Sequence, residues 1–333
     1  MAKPWPKDLY LGILSSAFFS VTYVVNAAMA QAGGDWMWSA CLRYLFLLPM
    51  LLVLTMRQGW KPVFAELRRA PLPWLLWSTV GFGVFYAPMA FAAAYGPSWM
   101  VAGAFQFTML AGALETPLFQ DKDGKRQKIP TRLFPAFAVI IAGIFLLQLE
   151  QIRTDPDIGR ALLFAIPVLI SASAYPLGNR KTMAVCKTEL TTQQRMLAMT
   201  IGSLPFWLLM AGAATVRVGL PSATQLAQAF LVSLFAGLIA TLIFFEGTRL
   251  VKDNPQRLAL VESTQCGEVI FSLIGGILFL HDSLPGLFGW LGLTLIVGGI
   301  LFLHDALPGL FGWLGLLLIV GGMIFNSLLT MKK

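Results

Sequence analysis

Charge is scarce in this chain: of 333 residues only 12% are Asp, Glu, Lys or Arg, and there are just two His and three Cys. Two histidines leave little for a histidine-based metal or catalytic centre, and both, His281 and His304, fall in the two copies of a repeated segment, so their recurrence reflects copying. The cysteines, Cys41, Cys186 and Cys266, lie too far apart for a metal-ligand spacing and form no disulfide framework. No Ser/His/Asp arrangement, HExxH or glycine-rich nucleotide loop is present, and the connections between apolar runs are too short to hold an ATPase. An enzyme, a bound cofactor and a metal are therefore not expected, and any energy for transport has to come from a gradient.

What replaces charge is apolar surface. With 57% hydrophobic residues and a mean hydropathy of +0.73, the chain reads as an all-α polytopic membrane protein. Charge clusters and turns cut it into apolar runs at 9–30, 36–56, 74–95, 100–119, 133–149, 160–178, 196–216, 226–248, 258–280 and 287–303, with an eleventh at 310–330. Each matches the roughly 20 helical residues needed to cross about 30 Å of hydrocarbon. The runs are continuously apolar and do not alternate, which argues against a transmembrane barrel.

The net charge of +8 does not point to nucleic acid, because the basic residues are spread between helices. Eighteen of the 24 Lys and Arg fall in alternate connections, which by the positive-inside rule places the N-terminus in the cytoplasm of a multi-pass plasma-membrane protein. Five runs in each half, 1–152 and 153–303, would insert the second half upside down relative to the first, the arrangement of inverted-repeat transporters. Sequence matches between the halves are weak: Tyr23 and Asn26 with Tyr175 and Asn179, and FQFT around Gln106 with VEST around Glu262. A far stronger repeat is local. Residues 275–297 recur directly as 298–320 with only Ser283 to Ala306 and Thr294 to Leu317 changed, so 304–333 is expected to form an extra hydrophobic helix.

The expensive residues lie in the run 258–280. VESTQCGEV carries Glu262 and Glu268, and an ionised side chain near the bilayer centre costs about 2.5 to 3.5 kcal/mol even on lenient scales. Glu262, Gln265 and Glu268 recur every third residue and form a drifting polar stripe, with Glu268 the deepest. Arg43, in SACLRYLFLLP, is the basic residue well inside a run and needs a counter-charge, carbonyls or an anionic substrate group; Glu268 is one candidate partner. Gln106, Thr108, Tyr86 and Tyr175 are further hydrogen-bonding candidates inside runs, with Tyr23 and Asn179 beside them. Pro88, Pro167, Pro176 and Pro205 are candidate helix breaks.

The stretches GGDWMWSACLRYLFLLPM (33–50), GFGVFYAPMAFAAAYGPSWMVAGAFQ (81–106), AYPLGNRK (174–181) and ALVESTQCGEVIF (259–271) resemble the drug/metabolite transporter superfamily, and within it the bacterial multidrug resistance efflux transporters. The resemblance implies export of small organic molecules by alternating access, coupled to protons, with a site between the halves; the 23 extra residues depart from the family's ten helices. The partners expected are a small organic substrate, a proton and the lipid bilayer. The expected site is Arg43, Gln106, Glu262, Gln265 and Glu268, with Glu268 coupling transport to protons or substrate. An amino-acid or other metabolite exporter, with Arg43 as a carboxylate anchor, is a second reading, and a passive channel or lipid scramblase a third.

Overall fold

A computed structural model of the chain describes residues 6–119, 124–126, 128, 129, 134–154, 158–251, 257 and 261–303. Ten helical segments of membrane type follow one another: α1 (Lys7–Gln31), α2 (Trp36–Gln58), then, after the short α3 (Lys61–Arg69), α4 (Pro71–Ala93), α5 (Ser98–Leu114), α6 (Phe134–Thr154), α7 (Ile158–Val185), α8 (Thr192–Val218), α9 (Ala223–Leu250), α10 (Val261–Leu280) and α11 (Leu287–Leu303). Eight are long and apolar enough to cross a membrane, while α5 and α11 are shorter. No strand occurs among the described residues, and the ten segments fall on the first ten expected runs. The eleventh run, 310–330, lies outside the described residues.

Local chemistry sets several helix starts. Asp35 caps α2 by accepting from Met37 N at 2.9 Å. Thr191 and Gln194 form a reciprocal capping box at α8, and Ser222 caps α9 through Gln225 N. The proline expectation is corrected: α7 runs unbroken through Pro167 and Pro176, and α8 through Pro205. Helical geometry changes elsewhere, in wide π turns at Thr79–Val84 of α4 and Ser233–Ile239 of α9, at Gln106 of α5, and in a tight 3₁₀ turn at Thr264–Cys266 of α10.

The helices pack in a consistent set of pairs. α6 lies along α11 and α2 along α8, while α1 packs against α9 and α10, and α7 against α4 and α5. Small residues permit the closest crossings, as expected where lipid offers no hydrophobic drive between helices. A Cβ on Gly178 of α7 would stand 2.1 Å from Gly81 Cα of α4, and one on Gly143 of α6 would stand 2.7 Å from the Gly292 carbonyl of α11.

Polar latches hold α2 to α8 at both ends. At one end Asp35 pairs with Arg217 and the Trp38 indole donates to the Gly219 carbonyl at 2.9 Å, while Gln225 Nε2 ties the start of α9 to the same place by donating to the Asp35 carbonyl and to Ser39 Oγ. At the other, Gln194 Nε2 reaches the carbonyls of Gln58 and Gly59. Beside it, buried Glu66 of α3 accepts from Arg69, from Thr188 Oγ1 at 2.6 Å, from Lys187 N at 3.2 Å and from the Trp74 indole. The Arg69 bond and these further donors hold the Glu66 carboxyl down at about 2.

Candidate substrate cavity

Eight of the ten membrane-type segments surround one central cavity of about 190 Å³. α1, α2, α4, α5, α7, α8, α9 and α10 all supply residues to its wall; α6 and α11 supply none and pack mainly against each other. The altered turns converge here. Phe82 stands in the π turn of α4, Gly237 in that of α9, Gln106 at the change of geometry in α5 and Gln265 in the tight turn of α10. Six phenylalanines, from α1, α4, α5 and α9, belong to its wall.

Glu268 is buried on the wall, and its Oε2 accepts a hydrogen bond from Tyr23 Oη of α1 at 2.9 Å. Gln265, one helical turn earlier, directs Nε2 to Ser15 Oγ at 3.1 Å and to the Gly12 carbonyl at 3.3 Å, leaving its buried Oε1 without a partner. Gln106 likewise spends Nε2 on the Ala102 carbonyl and has an unpartnered Oε1. Ser, Thr and Tyr hydroxyls on α1 are what tie this part of the wall together, a pattern suited to polar groups that have no water to turn to.

Arg43 is as buried as Glu268, and the two, offered by the sequence as candidate partners, form no ion pair. Arg43 Nη1 instead donates to Thr22 Oγ1 at 2.9 Å, and the guanidinium lies 4.2 Å above the centre of the Tyr86 ring and 5.9 Å from that of Tyr44. Two aromatic faces stabilise the cation without cancelling its charge. Tyr44 is fixed by stacking on Trp207 at 4.6 Å, and Tyr86 by the Asn26 amide, which donates to its hydroxyl at 2.8 Å. Arg43 Nε remains buried without a partner.

Of the eight residues expected from sequence, Arg43, Gln106, Thr108, Tyr175, Gln265 and Glu268 share the cavity wall. Tyr86 does not; it supports Arg43 from behind. Glu262 is half-buried and off the wall. The tight turn at Thr264–Cys266 lies between Glu262 and the pair Gln265 and Glu268, so the three do not form the regular stripe that three-residue spacing suggests. Sequence reasoning missed Thr22, Tyr44 and Gly237, which look like ordinary helix residues, and took Arg195 only as a loop charge, although it lines the cavity.

Residues 6–302 match the EmrE family, described as "Putative multidrug resistance efflux transporter". The chain is 47% identical over 299 residues to the uncharacterized protein YjlA of Bacillus subtilis (strain 168), covering 87% of this chain and 92% of that protein. It is 42% identical over 268 residues to an uncharacterized 42.1 kDa protein of Shouchella clausii, encoded in the intracellular alkaline protease 3' region, covering 79% of this chain and 70% of that one. A protein crystal structure shares the fold with a TM-score of 0.58 at 11% identity, over 89% of this chain and 95% of its own. A multi-pass helical protein matched by this family over nearly its whole described length belongs to the multidrug resistance efflux transporters of the drug/metabolite transporter superfamily, a family of small-molecule efflux proteins.

Proposed function

We propose that this protein exports small organic molecules across the plasma membrane by alternating access, with the central cavity as the substrate site and proton binding at Glu268 as the coupling step. The observation that carries this is the environment of Glu268. It is a buried acid on the wall of the cavity, hydrogen-bonded by one tyrosine and in no ion pair among the described residues. An acid kept deep in an apolar bundle without a neutralising cation is suited to gaining and losing a proton as the cavity changes sides.

Two inverted halves of five helices, residues 1–152 and 153–303, with the N-terminus in the cytoplasm and 304–333 as an appended segment, are part of the same reading. The packing supports it. Matching the first to fifth membrane segments with the sixth to tenth turns α1 on α9 and α10 into α7 on α4 and α5, and leaves the pairs α2 with α8 and α6 with α11 unchanged. The π turns of α4 and α9 also correspond, as do the disturbed turns of α5 and α10. A cavity enclosed by four helices from each half is where rocking of one half against the other would alternate access.

The test is transport in proteoliposomes with an imposed pH gradient, comparing wild type with Glu268→Gln over cationic, zwitterionic and neutral compounds. Saturable uptake that follows the proton gradient in wild type and is lost in the variant is the expected result. Uptake that neither saturates nor depends on the gradient would indicate a passive channel or scramblase instead.

A further inference from the structure

The cavity wall holds two guanidinium groups, Arg43 and Arg195, against a single carboxylate, Glu268. That balance is the reverse of what a site for lipophilic cations needs. The positions of the unpartnered atoms are more specific still. Arg43 is 7% exposed, and with Nη1 committed to Thr22 its buried Nε, one of the donors that grip a carboxylate side-on, has no acceptor. Leaving such a donor unmatched is costly, which marks it as a place where a ligand oxygen belongs.

Gly237, in the π turn of α9, stands beside this atom. A Cβ built there would lie 3.8 Å from Arg43 Nε and 3.5 Å from Leu47 Cδ1, so a side chain would fit without collision while filling the space next to the guanidinium. Residues of the same wall carry acceptors: the buried Oε1 atoms of Gln106 and Gln265 have no donor, and Glu268 has one, from Tyr23. The wall they share is also aromatic, with Phe19, Phe82, Phe85 and Phe244 among its residues. The volume of about 190 Å³ falls below the roughly 300 Å³ at which drug-sized ligand pockets begin.

Resting on the exporter reading, we propose that the substrate is a zwitterion of amino-acid size with an apolar side chain, its carboxylate held at Arg43 Nε beside Gly237 and its ammonium facing Glu268, Gln106 Oε1 and Gln265 Oε1. Gly237 and Arg43 then determine specificity together, and Tyr44 and Tyr86 are positioning residues that hold the guanidinium.

The experiment is equilibrium binding of radiolabelled L-phenylalanine to the purified full chain in detergent, displaced by 2-phenylethylamine, 3-phenylpropionate or tetraphenylphosphonium. Wild type is expected to bind phenylalanine, with each singly charged analogue weaker by about tenfold or more, the effect of losing one charge-assisted hydrogen bond. Arg43→Gln is expected to abolish the preference for phenylalanine over phenylethylamine. Gly237→Ala, which packs without a clash, is expected to weaken phenylalanine and phenylpropionate while leaving phenylethylamine as in wild type. Absence of phenylalanine binding, tetraphenylphosphonium binding at least as tightly, or a preference that survives both substitutions overturns the proposal. Gradient-driven transport of the phosphonium without phenylalanine binding overturns the zwitterion and spares the exporter reading. Phenylalanine binding with the Arg43 signature but without gradient-driven transport upholds the subsite and overturns the exporter.

Discussion

The Tyr23 hydroxyl donates to Glu268 Oε2 at 2.9 Å, joining the first membrane helix to the tenth helical element at the cavity wall. This bond is the only protein hydrogen bond that Glu268 receives among the described residues. Tyr23→Phe removes it and leaves a buried carboxyl oxygen without its donor. Such a loss costs about 1.5 to 3 kcal/mol, so gradient-driven transport is expected to fall about tenfold or more at equal protein levels. An unchanged transport rate in Tyr23→Phe proteoliposomes would separate the bond from the coupling step.

The crossing of α4 and α7 is set by two glycines. Because a Cβ on Gly178 would lie 2.1 Å from Gly81 Cα, Gly178→Ala forces two backbones apart and is expected to destabilise the protein by about 1 to 3 kcal/mol. Gly212→Ala is the control, since a Cβ at Gly212 meets nothing within 4 Å. Thermal unfolding in detergent, followed by loss of the monodisperse peak, should separate the two variants clearly; equal midpoints would mean that the α4–α7 crossing relaxes without strain.

The carboxyl of Glu66, outside the membrane segments, is held at about 2 against an ordinary value of 4.5 by Arg69 and three further donors. A depressed folded-state value means that the latch contributes its stability above pH 4.5 and loses it as pH falls toward 2. Glu66→Gln is expected to lower stability at neutral pH by about 2 kcal/mol and to flatten the pH dependence across that acid window. Parallel wild-type and variant melting curves between pH 5 and pH 3, with no convergence on the acid side, would contradict this.

Deleting residues 298–320 joins Val297 to Gly321, and the chain then continues Gly321, Gly322 where the full chain has Gly298, Gly299. The replacement keeps a glycine where Gly299 packs on Ile140. The deletion variant is expected to fold and to transport within about twofold of wild type. If the second copy crosses the membrane as the sequence suggests, a reporter fused after Lys333 should change sides in the deletion variant. A reporter on the same side in both proteins would mean that the second copy does not span.

Most of the fold was legible because lipid leaves a chain few options: long apolar runs must be helices, and their ends are where charge collects. The nine-residue α3 was not, because it is amphipathic and sits within a basic connection; Val63, Glu66 and Leu67 on one face were its available signal. Arg43 and Glu268 stood out by cost alone, and both line the cavity. Their partners did not. Each was expected to be a candidate answer to the other, whereas an uncharged tyrosine meets the acid, and a threonine and two aromatic rings meet the base. Which neutral side chain reaches a buried charge depends on helix rotation, and the tight turn at Thr264–Cys266 and the π turns at Phe82 and Gly237 alter that rotation where the cavity forms. No hydropathy pattern encodes those turns.

The central claim is that Glu268 couples a proton to the movement of substrate. It is tested most directly by reconstituting wild type and Glu268→Gln and measuring two modes side by side: uptake driven by a pH gradient, and exchange of labelled for unlabelled substrate with no gradient. At saturating substrate Glu268→Gln should lose the first and keep the second, because a neutral side chain can still change sides but cannot carry a proton, while its weaker hold on a substrate ammonium raises the concentration needed. Gradient-driven accumulation by Glu268→Gln at the wild-type level would contradict the claim.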